Sequence, residues 1–144
     1  MYVVGFTGAR EGSTPSQTEV IVHELRRVRD GDVTAYFLHG DCVGADAQIA
    51  RVARELGFTC WAFPGCDHLG RSPLRARTSF NDVVVTPSWY LTRDQLIVDL
   101  ADEVLAVAGP RFDTPRSGTG YTVRYARKVA KPTRVVRQNG TIET

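Results

Sequence analysis

The residues best suited to chemistry in this chain are small, polar and rich in glycine, and they recur in three places. Thr7-Gly8-Ala9-Arg10 follows the apolar run Tyr2–Phe6, and His39-Gly40-Asp41-Cys42-Val43-Gly44-Ala45-Asp46 follows Ala35–Leu38. Arg116-Ser117-Gly118-Thr119-Gly120-Tyr121-Thr122 follows Val104–Ala108 after a break. Each joins an apolar run to a helical pattern. Unpaired N–H groups in such turns, together with the positive end of the helix dipole, attract phosphate. The chemistry to expect is therefore capture of a phosphorylated small molecule, with or without turnover.

The third segment is the clearest anion site, because Ser117, Gly118, Thr119 and Thr122 stand where the first turn of a helix leaves N–H groups without partners. Arg116 beside them adds a cation. Thr7 and Gly8 offer a hydroxyl and backbone donors, and Arg10 a charged clamp. In the second segment, Gly40 and Gly44 allow close backbone approach, with Asp41 among the polar side chains of the turn. Asp46 has three open roles: favouring the helix dipole, holding the neighbouring loop, or accepting a ribose hydroxyl. His39 reads as a packed strand-end histidine and Trp61 as core, whereas Trp89 and Tyr90 are placed to stack on a base. Arg71, Arg75 and Arg77 read either as a solvated loop or as a phosphate-facing lid.

The elements that must position these groups alternate strand and helix. Tyr2–Phe6 is apolar throughout, as a strand buried on both faces should be. Thr14-Pro15-Ser16-Gln17 has capping-box spacing and opens a helix with Val20, Ile21, Leu25 and Val28 inward and Glu24, Arg26, Arg27 and Arg29 in water; Asp30-Gly31-Asp32 ends it. Strands are expected at Val33–Leu38, Phe58–Phe63, Val104–Ala108 and Thr133–Val136. One helix carries Ala45, Ile49, Val52, Ala53 and Leu56 and stops at Gly57. Another opens at a Thr92-to-Gln95 capping box and packs through Leu96, Ile97, Leu100 and Ala101, and the last runs from Ser117 or Gly118 to Lys131. Residues 65–90 are the least regular part. The pattern predicts one α/β domain over residues 1–144, a three-layer Rossmann-like fold with a mostly parallel sheet, and all three turns fall at the carboxyl ends of strands.

Composition narrows the function classes. At 144 residues and 42% hydrophobic, the chain has enough apolar material for one core, and no stretch is long and apolar enough to span a membrane. Met1 leads directly into a strand without a signal-peptide pattern, so a soluble cytoplasmic protein is expected. Cys42, Cys60 and Cys66 lack paired zinc spacing; reduced thiols are expected over a Cys60–Cys66 bridge, and neither a metal nor a cofactor is foreseen. A net charge of +2 does not argue for nucleic acid, although basic residues crowd the C-terminal third. The G-x-G-x-x-G and G-x-x-x-x-G-K-S/T signatures are absent, which removes the dinucleotide and P-loop readings.

Four motifs in this order resemble the YpsA/YspA-like branch of the SLOG superfamily. They are G-x-T-G-x-R from Gly5, H-G-x-x-x-G-A-D from His39, Y-L-x-R-D-x-x-I-V-x-x-A-D from Tyr90 and R-S-G-T-x-x-T-V-x-x-A from Arg116. The resemblance spans Val4 to about Val136. That superfamily includes the Lonely Guy phosphoribohydrolases and the DNA-processing protein A family. It implies a nucleotide or nucleotide-derived ligand, with phosphate on Gly118 and Thr119 and a pocket lined by Thr7, Gly8, Arg10, Gly40, Gly44 and Asp46. It also implies a homo-oligomer, and it matches Arg93 to an arginine near the ribose. The hydrolytic members carry a glutamate three positions after the threonine of the G-T pair, where this chain has Thr122. A threonine cannot act as a carboxylate base. Two readings stand: a sensor or sequestering protein that binds without turnover, and an N-glycosidase with a substitute acid among Asp46, Asp94 and Asp99. Binding of single-stranded nucleic acid is not expected without a stacking platform.

Overall fold

The first apolar run becomes β1 (Tyr2–Gly8), which lies at the centre of a seven-stranded sheet. It is followed by α1 (Pro15–Gly31), β2 (Ala35–His39), α2 (Ala45–Glu55), β3 (Thr59–Ala62), β4 (Gly65–Cys66), β5 (Val83–Val84) and β6 (Ser88–Trp89). Then come α3 (Tyr90–Leu100), β7 (Glu103–Val107), α4 (Gly118–Lys128), β8 (Thr133–Val136) and β9 (Ile142–Glu143). The computed structural model describes residues 1–31 and 34–144; Asp32 and Val33, expected at a helix end and a strand start, lie outside the described residues. The strand order is β5-β3-β2-β1-β7-β8-β9, parallel except for the β8–β9 hairpin. This is a Rossmann-like fold, as the alternation predicts. Among the described residues no helix is long and apolar enough to cross a membrane.

Strand alternation divides the core between the two faces of the sheet. Val4 and Phe6 of β1, Phe37 of β2 and Leu105 and Val107 of β7 pack with Ile21 and Leu25 of α1 and Ile49 and Ala53 of α2. On the other face, Val3 meets Val98, Ala101, Val104 and Ala126 in one cluster and Leu38, Phe63 and Ile97 in another. The chain winds from β1 through β2 to β3 on one side and later enters β7 on the other side of β1. The topological switch point therefore lies between β1 and β7, where a crevice opens beyond the strand ends.

The cap of α1 forms as its spacing predicts. Gln17 N donates to Thr14 Oγ1 at 3.1 Å, and Thr14 N donates to Gln17 Oε1 at 2.9 Å. Gln17 does more than cap. Its buried Nε2 also donates to Ala108 O at 2.7 Å and Val136 O at 2.9 Å, which ties α1 to the ends of β7 and β8.

Several local expectations need correction. Helix α3 starts at Tyr90 with Trp89 as its uncapped N-cap, so Thr92 lies inside the first turn; β6 pairs with β4 and delivers the chain into the helix three residues early. Its buried face is Arg93, Asp94, Ile97 and Val98, leaving Leu96 and Leu100 38% and 53% exposed. Glu24 is buried rather than wet, because Arg27 covers it with an ion pair at 2.8 Å. Helix α4 ends at Lys128, where Ala130 turns left-handed (φ 59°) and Lys131 N reaches back to Ala126 O at 2.9 Å. Residues 65–90 are less irregular than they read. They supply β4, β6 and the edge strand β5, paired to β3 through Trp61 and Val83.

Candidate ligand-binding site

The loops after β1, β2 and β7 and the starts of α3 and α4 enclose a crevice of about 810 Å³ at the switch point. Of the residues that the sequence nominates, Thr7, Gly8, Arg10, Gly40 and Asp46 line it from the β1 and β2 side. Arg93 lines it from α3, and Arg116, Ser117, Gly118, Thr119 and Thr122 line it from α4. Asp41 and Gly44 do not line it. They support the wall from behind.

The phosphate end is built on α4. Ser117 is the N-cap, and its Oγ accepts from Gly120 N at 2.9 Å. The N–H groups of Gly118 and Thr119 belong to the first turn, where intrahelical acceptors are lacking, and both residues line the crevice. Thr7 Oγ1 donates to Thr119 Oγ1 at 3.3 Å, joining the end of β1 to the start of α4. A Cβ placed on Gly118 meets nothing within 4 Å, so the space in front of this turn is open. Thr122 turns its hydroxyl to Gly118 O at 3.0 Å and also faces the carboxyl of Asp94.

The floor is polar and buried. Arg93 Nε donates to Asp94 Oδ1 at 2.6 Å, and Nη1 donates to Gly40 O at 2.8 Å and Phe63 O at 3.1 Å. Gly40 must be glycine here, since a Cβ would stand 2.5 Å from Arg93 Nη1. Burial alone would lower the Arg93 guanidinium, but Asp94, Cys42 and Asp46 outweigh it and hold the group above its ordinary value. Burial raises the Asp94 carboxyl above its ordinary range, against the opposing pull of Arg93 and the Thr122 hydroxyl. Asp46 Oδ2 accepts from Gly40 N at 2.9 Å and Cys42 N at 3.4 Å, so this side chain holds the β2–α2 loop. Its Oδ1 is buried and has no partner among the described residues. Burial raises Asp46 as well, more than His39 and Arg93 can offset. The Cys42 thiol, also in the crevice, is pushed up to about 12 by burial and then by Asp46, so it is no thiolate nucleophile at neutral pH.

The supporting residues explain themselves physically. Gly44 adopts φ 91°, and a Cβ there would lie 2.3 Å from Arg10 O, so glycine lets the β1 and β2 loops pack together. Asp41, buried, accepts from Arg75 Nε at 2.7 Å and from Thr78 N and Oγ1 at 3.2 Å. Arg71 pairs with Asp67 at 3.0 Å, and neither Arg71, Arg75 nor Arg77 lines the crevice. The lid reading of these arginines therefore fails, because a buried carboxylate claims Arg75 and Leu74 is what this segment gives to the wall. His39 is a packed strand-end residue: Nδ1 accepts from Asp41 N at 3.0 Å and Nε2 lies 2.6 Å from Asn81 Oδ1. Of the two candidate stacking rings, Tyr90 lines the crevice under the Arg93 guanidinium, while Trp89 lies outside. All three cysteines are free.

Two residues at the mouth of the crevice stand outside the set that the sequence nominates, Glu11 and Arg111. Arg111 Nη2 donates to Glu11 Oε2 at 2.6 Å, bridging the loops after β1 and β7. Both residues line the opening beside Arg10 and Arg116. Neither Glu11 nor Arg111 sits in a motif, so only the approach of two loops distant in sequence reveals them.

The class defined by fold and site is a Rossmann-like α/β protein with a switch-point crevice. The chain is similar to the X-ray structure of TM1055, a Northeast Structural Genomics Consortium target, with TM-score 0.63 and 21% identity over 92% of this chain and 72% of that one. At that identity the likeness establishes the fold. No family model matches the chain, and no curated protein matches it.

Proposed function

We propose that the protein binds a nucleotide or nucleotide-derived ligand, with a phosphate on the first turn of α4, and acts as a cytoplasmic sensor or sequestering protein of the SLOG type. The observation that carries this reading is the meeting of Ser117, Gly118 and Thr119 with Thr7 at the switch point, in front of open space. Asp46 lines the crevice with its Oδ1 unpartnered among the described residues, which supports a ligand that also brings a hydroxyl or amino donor, as a bare phosphate anion does not. Three free thiols suit a reducing compartment.

Mass spectrometry of small molecules released from the denatured protein tests the ligand class. Gly118→Asp tests the site: its Cβ meets nothing within 4 Å, and its carboxylate puts negative charge where the phosphate must sit. It should abolish binding and leave the melting temperature unchanged. Thr119→Ala should be milder, costing about 1.5–3 kcal/mol of binding if its hydroxyl bonds a charged group. Unaltered affinity in Gly118→Asp would remove α4 from the site.

A second reading, an N-glycosidase, is favoured by one observation. Asp46 and Asp94 both line the crevice with raised pKa values, and Asp94 stands beside Thr122. Asp99 drops out as a substitute acid, since it accepts from Tyr125 Oη at 2.7 Å and does not line the crevice. Chromatography of a nucleoside monophosphate panel separates the readings. Release of free base that disappears in Asp94→Asn establishes turnover, and tight binding without release establishes a binder.

The proposal includes a homo-oligomer. Support comes from the outer face of α3, where Leu96 and Leu100 are exposed. They are flanked by Tyr121 and Tyr125, which hydrogen-bond Gln95 at 2.9 Å and Asp99 at 2.7 Å. Leucines on the outer face of a helix whose inner face is already buried suit burial of that outer face as well. Light scattering that finds a strict monomer at micromolar concentration would sink this part.

A further inference from the structure

The mouth of the crevice carries a charge excess that a single phosphate on α4 does not use. Arg10, Arg111 and Arg116 line it with Glu11 as the one acid, so three cations face one carboxylate. That excess of two positive charges equals the net charge of +2 for the entire chain. Arg10 and Arg116 have no ion-pair partner among the described residues. Arg111 has one, but the Arg111–Glu11 pair is 65% and 39% exposed, and a pair this wet is screened and weak. The floor has the opposite character. Asp46 and Asp94 repel a second anion there, and Arg93 has already given Nε and Nη1 to Asp94, Gly40 and Phe63. The crevice is therefore polarised, with acceptors below and cations above.

From this polarity we propose that the mouth is a second anion subsite, in which Arg10, Arg111 and Arg116 hold the outer phosphates of a phosphate chain whose inner phosphate sits on α4. The inference rests on the α4 phosphate reading and adds the class of ligand, a polyphosphate ester rather than a monophosphate. Guanidinium groups suit it because each can present two N–H donors to one phosphate. On binding, Arg111 exchanges Glu11 for phosphate oxygens. Glu11 then stands free beside the chain and weakens the grip on its most charged members. Glu11 thus acts as a specificity-determining residue.

Calorimetric titration with inorganic phosphate, pyrophosphate and tripolyphosphate tests this, with melting temperatures as the folding control. In the wild type, affinity should rise by about tenfold or more from phosphate to tripolyphosphate and fall with added salt. Arg10→Ala/Arg116→Ala should flatten that gradient, losing far more affinity for tripolyphosphate than for phosphate. Glu11→Gln should tighten tripolyphosphate more than phosphate. Arg26→Ala/Lys128→Ala removes two exposed cations elsewhere and should leave the gradient intact. Equal affinities for the three probes, or a gradient that survives in Arg10→Ala/Arg116→Ala or collapses in the distant control, overturn the mouth subsite alone. If no probe binds the wild type, or Gly118→Asp binds phosphate unchanged, the α4 reading fails and takes this proposal with it.

Discussion

The sheet carries a buried carboxylate cluster at each end, and the two are finished differently. At the amino end, Glu103 Oε1 takes Arg27 Nη2 at 2.8 Å, and Oε2 takes the Tyr2 hydroxyl at 2.7 Å, with Arg134 Nη1 3.6 Å away. Both oxygens are satisfied. Burial, and then Glu103, pushes the Tyr2 phenol up to about 12, so it stays a donor at any physiological pH. At the carboxyl end, Asp94 pairs with Arg93, His39 and Arg93 only partly offset the burial of Asp46, and Asp46 Oδ1 has no partner among the described residues. A cluster that only holds the fold together closes its hydrogen bonds. One that leaves a buried acceptor without a partner in the wall of a crevice of about 810 Å³ carries a cost that its own surroundings do not offset.

The largest expected effect tests whether Arg93 is the keystone of the carboxyl-end cluster. Arg93→Ala leaves Asp94 buried without its ion-pair partner and weakens the field that acts on Asp46, and should cost about 3–5 kcal/mol of stability. Denaturant titration measures it, and a loss below about 1 kcal/mol would mean that the two acids do not depend on Arg93. Because protonation relieves the repulsion, the cost should shrink as the pH falls. At the amino end, Glu103→Gln should cost less, about 1–3 kcal/mol, since Arg27 and Arg134 are 43% and 35% exposed and can turn to water. Phosphate affinity should not change in that variant; a loss of binding would show that the two ends are coupled.

The smallest effect concerns pH. Asp46 has a folded pKa raised above its ordinary value of 3.8, so its contribution to stability is fully present below that value and is lost as pH rises through the folded pKa. Asp46→Asn removes that titration. The melting temperature of Asp46→Asn relative to wild type should therefore climb as pH rises from below 3.8 toward neutrality. A difference independent of pH would place the charge of Asp46 in water and end the contrast with Glu103.

How much of this was legible in the sequence depends on the range of the interaction. The Thr14–Gln17 cap, the glycine turns and the α4 start were legible because each depends on a few consecutive residues. The face of α3 was not. Leu96 and Leu100 look like core at helical spacing, yet the helix turns Arg93 and Asp94 inward, because Gly40 O, Phe63 O and the partner carboxylate repay their desolvation. Asp41 and Gly44 carried the right motif for a ligand site, and packing assigned them to support. Arg75 followed Asp41 for the same reason.

By itself the sequence determined the alternation of strands and helices, and with it a parallel sheet whose glycine-rich turns gather at one end. Backbone geometry and hydrophobic periodicity are local, so a single chain displays them. Only the tertiary structure decided which polar side chains face the crevice and which support it from behind. That choice turns on whether a buried charge finds a partner from a distant segment, as Asp41 finds Arg75 and Asp46 Oδ1 finds none among the described residues. Such partners are set by strand order, and spacing along the chain does not encode them.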